Sequence, residues 1–216
     1  YERIGSHWSK SKSCKYPELT QVQYETVVGI LMGDGTINRG GKNPYLQIEM
    51  ISPNYLKHLD NVFGCLGTGV KLEQTAAESA KHSRDSGFSP NAKEENYSNL
   101  YGWQTKAHPK FNEFREWYST GEKVWPKDIE LTSTVLKHWY CGDGTYSNKQ
   151  SQKNIQIAID KEMKNTEKIS KYFTNSGLPK PSNYSFYERK NSTGCLVCWT
   201  IEDSYELWDY MGEPLP

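Results

Sequence analysis

Two aspartates, Asp34 and Asp143, stand in the same phrase, Gly-Asp-Gly-Thr, at the ends of two apolar stretches, VVGILMGDGTI at 27–37 and LKHWYCGDGTY at 136–146. Taken singly, such a phrase is an ordinary helix stop, because glycine ends many helices. A pair asks for more. An aspartate at a helix C-terminus faces the negative end of the macrodipole, and two such helices side by side would crowd two like charges. Divalent cations between them relieve both costs. Carboxylates are hard oxygen donors, and Mg²⁺ binds through one or two of them together with substrate phosphate. The pair therefore points to metal-assisted chemistry on a phosphodiester.

The elements that must carry these acids repeat along the chain. Glu18-Leu19-Thr20 precedes the first phrase and Glu130-Leu131-Thr132 the second, with Pro17 and Pro126 just upstream. The two aspartates lie 109 positions apart, a duplicated unit with some drift. Thr20 and Gln23 have the spacing of a capping box that opens a helix running to Met32. Gly29 and Gly33 share one face of it and leave room for another backbone. Lys137 and His138 occupy the matching interface of the second helix, which predicts looser packing in its upper turns. After each phrase comes strand alternation, with Leu46, Ile48 and Met50 on one face in the first unit and Ile155, Ile157 and Ile159 in the second. Helices are expected over 53–63 and 161–174, further strands over 70–74, 98–105, 184–189 and 194–201, and closing helices near 109–118 and 204–210. Residues 76–96 read as a long polar loop.

This order gives an α+β fold of two pseudo-symmetric αββαββα units. The expected boundaries are an N-terminal arm at 1–16, a first unit at 17–125 and a second at 126–216. Six tryptophans (Trp103, Trp117, Trp125, Trp139, Trp199 and Trp208) fall on element faces and read as core, whereas Trp8 and His7 belong to the arm.

Composition sets bounds. With 26 basic and 26 acidic residues the formal charge is zero, so there is no global signal for nucleic acid. Locally, residues 144–190 hold nine Lys/Arg against four Asp/Glu, and 191–216 hold five acids and no base, so a basic face can stand opposite an acidic one. Apolar runs fall well short of the roughly 18 residues of a membrane span, and no signal-peptide pattern is visible. Five scattered cysteines argue against a disulfide framework and for a reducing intracellular compartment. Cys195 and Cys198 have half of a zinc spacing, but on a strand they point to opposite faces.

These segments resemble the motifs of the LAGLIDADG homing endonucleases in their single-chain, two-motif form. Val27-Val-Gly-Ile-Leu-Met-Gly-Asp-Gly35 and Leu136-Lys-His-Trp-Tyr-Cys-Gly-Asp-Gly144 both keep the Asp and Gly of the eighth and ninth positions. The run from Trp117 through Gly121-Glu-Lys-Val-Trp-Pro126 to Thr132 is similar to what precedes the family's second motif. Met32 and Cys141 depart from the acid often found at the sixth position.

The resemblance implies a saddle of antiparallel sheet astride duplex DNA, with the two motif helices at the interface of the units. It implies a monomer that cleaves a long, pseudo-palindromic or asymmetric double-stranded target, one phosphodiester per strand, leaving short 3′ overhangs, as in intron homing. Two or three Mg²⁺ ions would be held by Asp34 and Asp143 with Gly33 and Gly142; Mn²⁺ would substitute, and Ca²⁺ would bind without cleavage. Lys123 matches the family's basic residue beside the phosphate. A second such lysine is expected beyond Pro216, with Lys161 as a substitute. DNA contacts would come from Asn38, Arg39, Lys42, Tyr45, Gln47 and Glu49 in the first unit and from Ser147, Asn148, Lys149, Asn154 and Gln156 in the second. An archaeal cytoplasm or an organelle is the expected setting. An RNA maturase and a non-cleaving DNA-binding regulator use the same scaffold; intact motif acids favour the nuclease, and strand-borne Gln and Arg suit the major groove of B-DNA.

Overall fold

The chain is described here by a computed structural model covering residues 16–149, 152–189 and 192–216. The first helix, α1 (Gln21–Met32), opens on the expected capping box: Thr20 Oγ1 accepts from the Gln23 amide at 3.2 Å, and the Gln23 side chain accepts from the Thr20 amide at 3.0 Å. Then follow β1 (Thr36–Asn38), β2 (Tyr45–Met50), α2 (Pro53–Phe63), β3 (Lys71–Gln74), α3 (Ala76–Asp85) and β4 (Leu100–Gln104). The second unit runs α4 (Ser133–Asp143), β5 (Gly144–Lys149), β6 (Gln152–Ala158), α5 (Thr166–Asn175), β7 (Asn183–Arg189), β8 (Ser192–Cys198) and α6 (Ile201–Met211). Each unit forms a four-stranded antiparallel sheet, ordered β1-β2-β4-β3 and β5-β6-β8-β7. The same order in both sheets is the duplication seen in the sequence.

Three expectations of secondary structure need correction. Residues 76–96 are not a plain loop: α3 is nucleated by a capping box in which Thr75 and Glu78 satisfy each other's amides. The first unit closes on a 3-10 segment, Pro109–Tyr118, rather than an α-helix. The helix expected from residue 161 begins only at Thr166, because Glu162 turns inward. Its carboxylate, 1% exposed, accepts from the Trp125 amide at 2.6 Å and from Asn165 Nδ2 at 2.8 Å, and pairs with Lys168 at 2.7 Å. A 3-10 turn, Asp160–Glu162, carries Lys161 instead.

One core runs through both units. α1 and α4 lie at its centre, and Val27, Leu31, Leu46, Val135, Leu136, Ile157 and Val197 are almost fully buried. Trp103, Trp117, Trp125, Trp139 and Trp199 are buried as expected, and Trp208 packs at its margin. The two central helices approach closely along their whole contact, against the expectation drawn from Lys137 and His138. A Cβ on Gly29 would lie 2.5 Å from the Val135 carbonyl oxygen and 2.7 Å from His138 Cβ. Gly29 thus supplies the space that the larger His138 takes up. The imidazole, 4% exposed, is tied across the units: Nδ1 lies 2.8 Å from the Tyr55 hydroxyl and Nε2 3.3 Å from Thr26 Oγ1. Among the described residues no helix is long and apolar enough to cross a membrane.

Candidate active site

α1 and α4 end side by side, and that is what brings the two acids together. A Cβ on Gly33 would sit 3.3 Å from Gly142 Cα, and one on Gly142 would sit 3.0 Å from the Asp34 amide. Glycine at both positions lets the chains touch where the carboxylates emerge, and a larger residue would push them apart by a few tenths of an ångström. Asp34 and Asp143 then line one cleft of about 260 Å³ with Lys123, Asp160 and Lys161, floored by Met32, Trp125, Ala158 and Ile159.

The electrostatics follow from this crowding. Burial pushes the Asp143 carboxyl up to about 7, and the nearby Asp34 charge adds to it, with Lys123 opposing. Asp34 is also raised, by burial, against the pull of Lys123. Burial lowers Lys123 to about 8, although both acids favour its charged form. Three carboxylates in one partly desolvated cleft, Asp34, Asp143 and Asp160, want more positive charge than Lys123 and Lys161 supply.

Lys123 reaches the cleft from the segment that follows the 3-10 turn Pro109–Tyr118. Its Nζ donates to the carbonyl oxygens of Gly33 at 2.6 Å and Gly35 at 3.0 Å, bracketing Asp34 and capping the end of α1. Lys161 reaches the same cleft from the second unit. Asp160 was missed by the sequence reading. It accepts from the Tyr187 hydroxyl at 2.9 Å and from the Cys195 amide at 3.1 Å. The available signal was an Asp-Lys pair directly following an alternating strand.

The donor set fits Mg²⁺. Among the described residues no donor bonds to either motif carboxylate, and no cluster of three or more His, Cys, Asp or Glu forms a self-sufficient metal site. A two-carboxylate site completed by substrate oxygens is the Mg²⁺ pattern. The Gly33 carbonyl, already bonded to Lys123, keeps one lone pair for a metal. A second, wider cleft leads away past Arg39, Lys123, Lys161 and Lys164, with Asp34, Glu122 and Asp160 among them, a path with a small basic excess that a phosphate backbone can follow.

The expected DNA-contacting residues are distributed as follows. Tyr45, Gln47 and Glu49 alternate with the buried Leu46 and Ile48, so they line the outer face of the first sheet. Asn38 accepts from the Gly40 amide and shapes the β1–β2 turn, where Lys42 is exposed. Arg39 stacks its guanidinium on Tyr118 at 4.8 Å and donates to the Tyr118 carbonyl at 3.1 Å, which fixes it beside the basic path. In the second sheet Gln156 faces outward, whereas Asn154 spends its amide on the Trp199 carbonyl at 3.2 Å. Ser147, Asn148 and Lys149 fall on β5, but their side chains lie outside the described residues, as does the arm up to residue 15.

Comparison with known proteins agrees with this geometry. The model of the LAGLIDADG DNA endonuclease family matches residues 24–180. Among solved structures, the chain is similar to the homing endonuclease I-WcaI bound to its DNA recognition sequence, with 18% identity, a TM-score of 0.65, and coverage of 96% of this chain and 92% of that one. A variant of I-DmoI in complex with its nicked target DNA in the presence of manganese matches at 11% identity and a TM-score of 0.51, over 92% and 100% of the two chains. The N-terminal LAGLIDADG domain of DUF199/WhiA matches at 10% identity and a TM-score of 0.50, over 93% and 87%. No match is found among curated protein sequences.

Proposed function

Because the chain belongs to the LAGLIDADG DNA endonuclease family, we propose that it is a site-specific, Mg²⁺-dependent homing endonuclease that acts as a monomer and cuts one phosphodiester in each strand of a long duplex target, leaving short 3′ overhangs. The observation that carries this reading is the pair of motif carboxylates, bonded to no donor among the described residues, brought into one cleft with Lys123 and Lys161 by the Gly33–Gly142 contact.

Each residue then has a task. Asp34 and Asp143 hold the divalent ions, one acid for each strand. Mg²⁺, when bound, supplies an activated water and charge stabilisation for the leaving oxygen. Lys123, pinned by the Gly33 and Gly35 carbonyls, holds its ammonium beside the acids where negative charge accumulates on the phosphate. Lys161 contributes a second cation from the other unit, and Arg39 and Lys164 line the path of the DNA backbone. The outer faces of β2 and β6, with Gln47, Glu49 and Gln156, read base edges in the major groove. A reducing intracellular compartment suits Cys65, Cys141, Cys195 and Cys198, which are all free thiols.

The test is cleavage of a randomised duplex library with Mg²⁺ or with EDTA, followed by sequencing of the ends. Mg²⁺-dependent cuts at one sequence, with 3′ overhangs, are expected. Binding to duplex DNA or to intron RNA that persists in EDTA, without any cutting, would replace this reading by the regulator or the maturase.

A further inference from the structure

The two sheets correspond row by row. Thr36 and Thr145 follow the motif acids at the same interval, as do Gln47 and Gln156, and each Thr pairs with its Gln across the first two strands. Their strand neighbours Ile48 and Ile157 are buried, so these rows face away from the core. On the next strand the correspondence ends. Gln47 pairs with Gln104, whereas Gln156 pairs with Cys198. The following row reads Glu49, Gly102, Lys71 in the first sheet, and the Glu73 side chain lies over Gly102. In the second sheet the same row reads Ala158, Leu196, Ser185.

Leu196 stands between Cys195 and Val197, both 0% exposed, and therefore points away from the core. It is half-buried on the outer face. Ala158 also lines the cleft of Asp34 and Asp143. An apolar pair, Ala158 and Leu196, thus starts at the candidate active site and lies where the first sheet carries Glu49 and the Glu73 side chain over Gly102, before the row ends in Ser185.

We propose that beyond the shared row of Gln47 and Gln156 the two sheets read DNA by different chemistry: the first by hydrogen bonds from Gln104 and Glu49, the second by apolar contact of Ala158 and Leu196 with thymine 5-methyl groups close to the cut. The major groove offers one apolar feature on its base edges, the thymine methyl, and aliphatic side chains are its natural readers. A cytosine there would bring its amino group against aliphatic side chains that accept nothing from it, an unpaired polar group at the interface. The target should accordingly be asymmetric in chemistry, with obligatory thymines near the cut in one half only. This inference rests on the endonuclease reading and specifies its substrate.

The probe is the recovered target duplex with single thymines replaced by deoxyuridine, which removes only the methyl group. Binding is measured in Ca²⁺ with the full chain, its Leu196→Gln variant and its Ala158→Ser variant. The expected result is binding about fourfold weaker for each contacted methyl removed, the equivalent of one buried methyl-sized group. The effect should be confined to one half of the target and lost in at least one of the two variants. Binding indifferent to every replacement, or a thymine preference unchanged in both variants, would overturn the proposal while leaving the nuclease intact. Recovery of no duplex target at all would instead overturn the endonuclease reading, and this inference with it.

Discussion

Gly29→Ala sets two opposed effects against each other at the helix interface. In an isolated helix, alanine would be favoured over glycine by about 1 kcal/mol. Here the new Cβ would meet the Val135 carbonyl oxygen at 2.5 Å and His138 Cβ at 2.7 Å. Both are backbone or stem atoms that cannot swing aside, so α4 must move by several tenths of an ångström. That movement works against a close-packed core, where overpacking costs about 1–3 kcal/mol. It also strains the hydrogen bonds of His138 to Tyr55 and Thr26. With contacts this short the clash should win, leaving a net loss of about 1 kcal/mol despite the better helix former. Urea unfolding followed by circular dichroism measures it: the midpoint should fall by about 0.5 M with the slope unchanged. The same shift moves Asp34 relative to Asp143, so cleavage should fall more than DNA affinity. An unchanged or higher midpoint would refute the reasoning, since the helices would then not be in contact at Gly29.

Other perturbations read other parts of the structure. His138 is held down to about 3 by burial, with His58 and Lys137 adding to it. Between there and its unfolded value of about 6.5 the unfolded chain takes up a proton that the folded chain refuses, so stability falls as pH falls, by about 2 kcal/mol on reaching pH 5. A His138→Gln variant should lose stability less steeply across pH 6.5 to 5 in denaturant titrations. Removing the buried Glu162 carboxylate by Glu162→Ala strands the Trp125 amide and Lys168 and should cost about 3 kcal/mol, read as a lowered unfolding midpoint. Lys123→Met keeps the side chain's length without its charge and should slow single-turnover cleavage about 100-fold. Target binding in Ca²⁺ should meanwhile change little.

What the sequence made legible was local. The Thr20–Gln23 box and the alternation around Ile48 and Ile157 depend on neighbours a few positions away, so α1, β2 and β6 could be read directly. The paired acids were legible because duplication wrote them twice. α3 escaped, although Thr75-x-x-Glu78 is a cap of the same kind, because so little of it is buried that no apolar period marks it. Asp160 escaped because its partners, Tyr187 and the Cys195 amide, reach it only through the pairing of β7 with β8. The late start of α5 depends on Glu162 meeting an amide 37 positions away. The contrast between the sheets needs the register of β6 on β8, which no single strand reveals. At the helix interface, Lys137 and His138 suggested a gap, yet Gly29 opposite gives room for a larger neighbour.

The central claim is that Asp34 and Asp143 each serve one strand of a duplex through a divalent ion. The measurement that tests it most directly is cleavage of a supercoiled plasmid carrying the recovered target, in Mg²⁺, by the unaltered chain, by Asp34→Asn, by Asp143→Asn and by the double variant. The account predicts linear product from the unaltered chain, nicked circle at most from either single variant, no product from the double variant, and retained target binding throughout. Linear product from the double variant, or cutting by the unaltered chain that continues in EDTA, would contradict it.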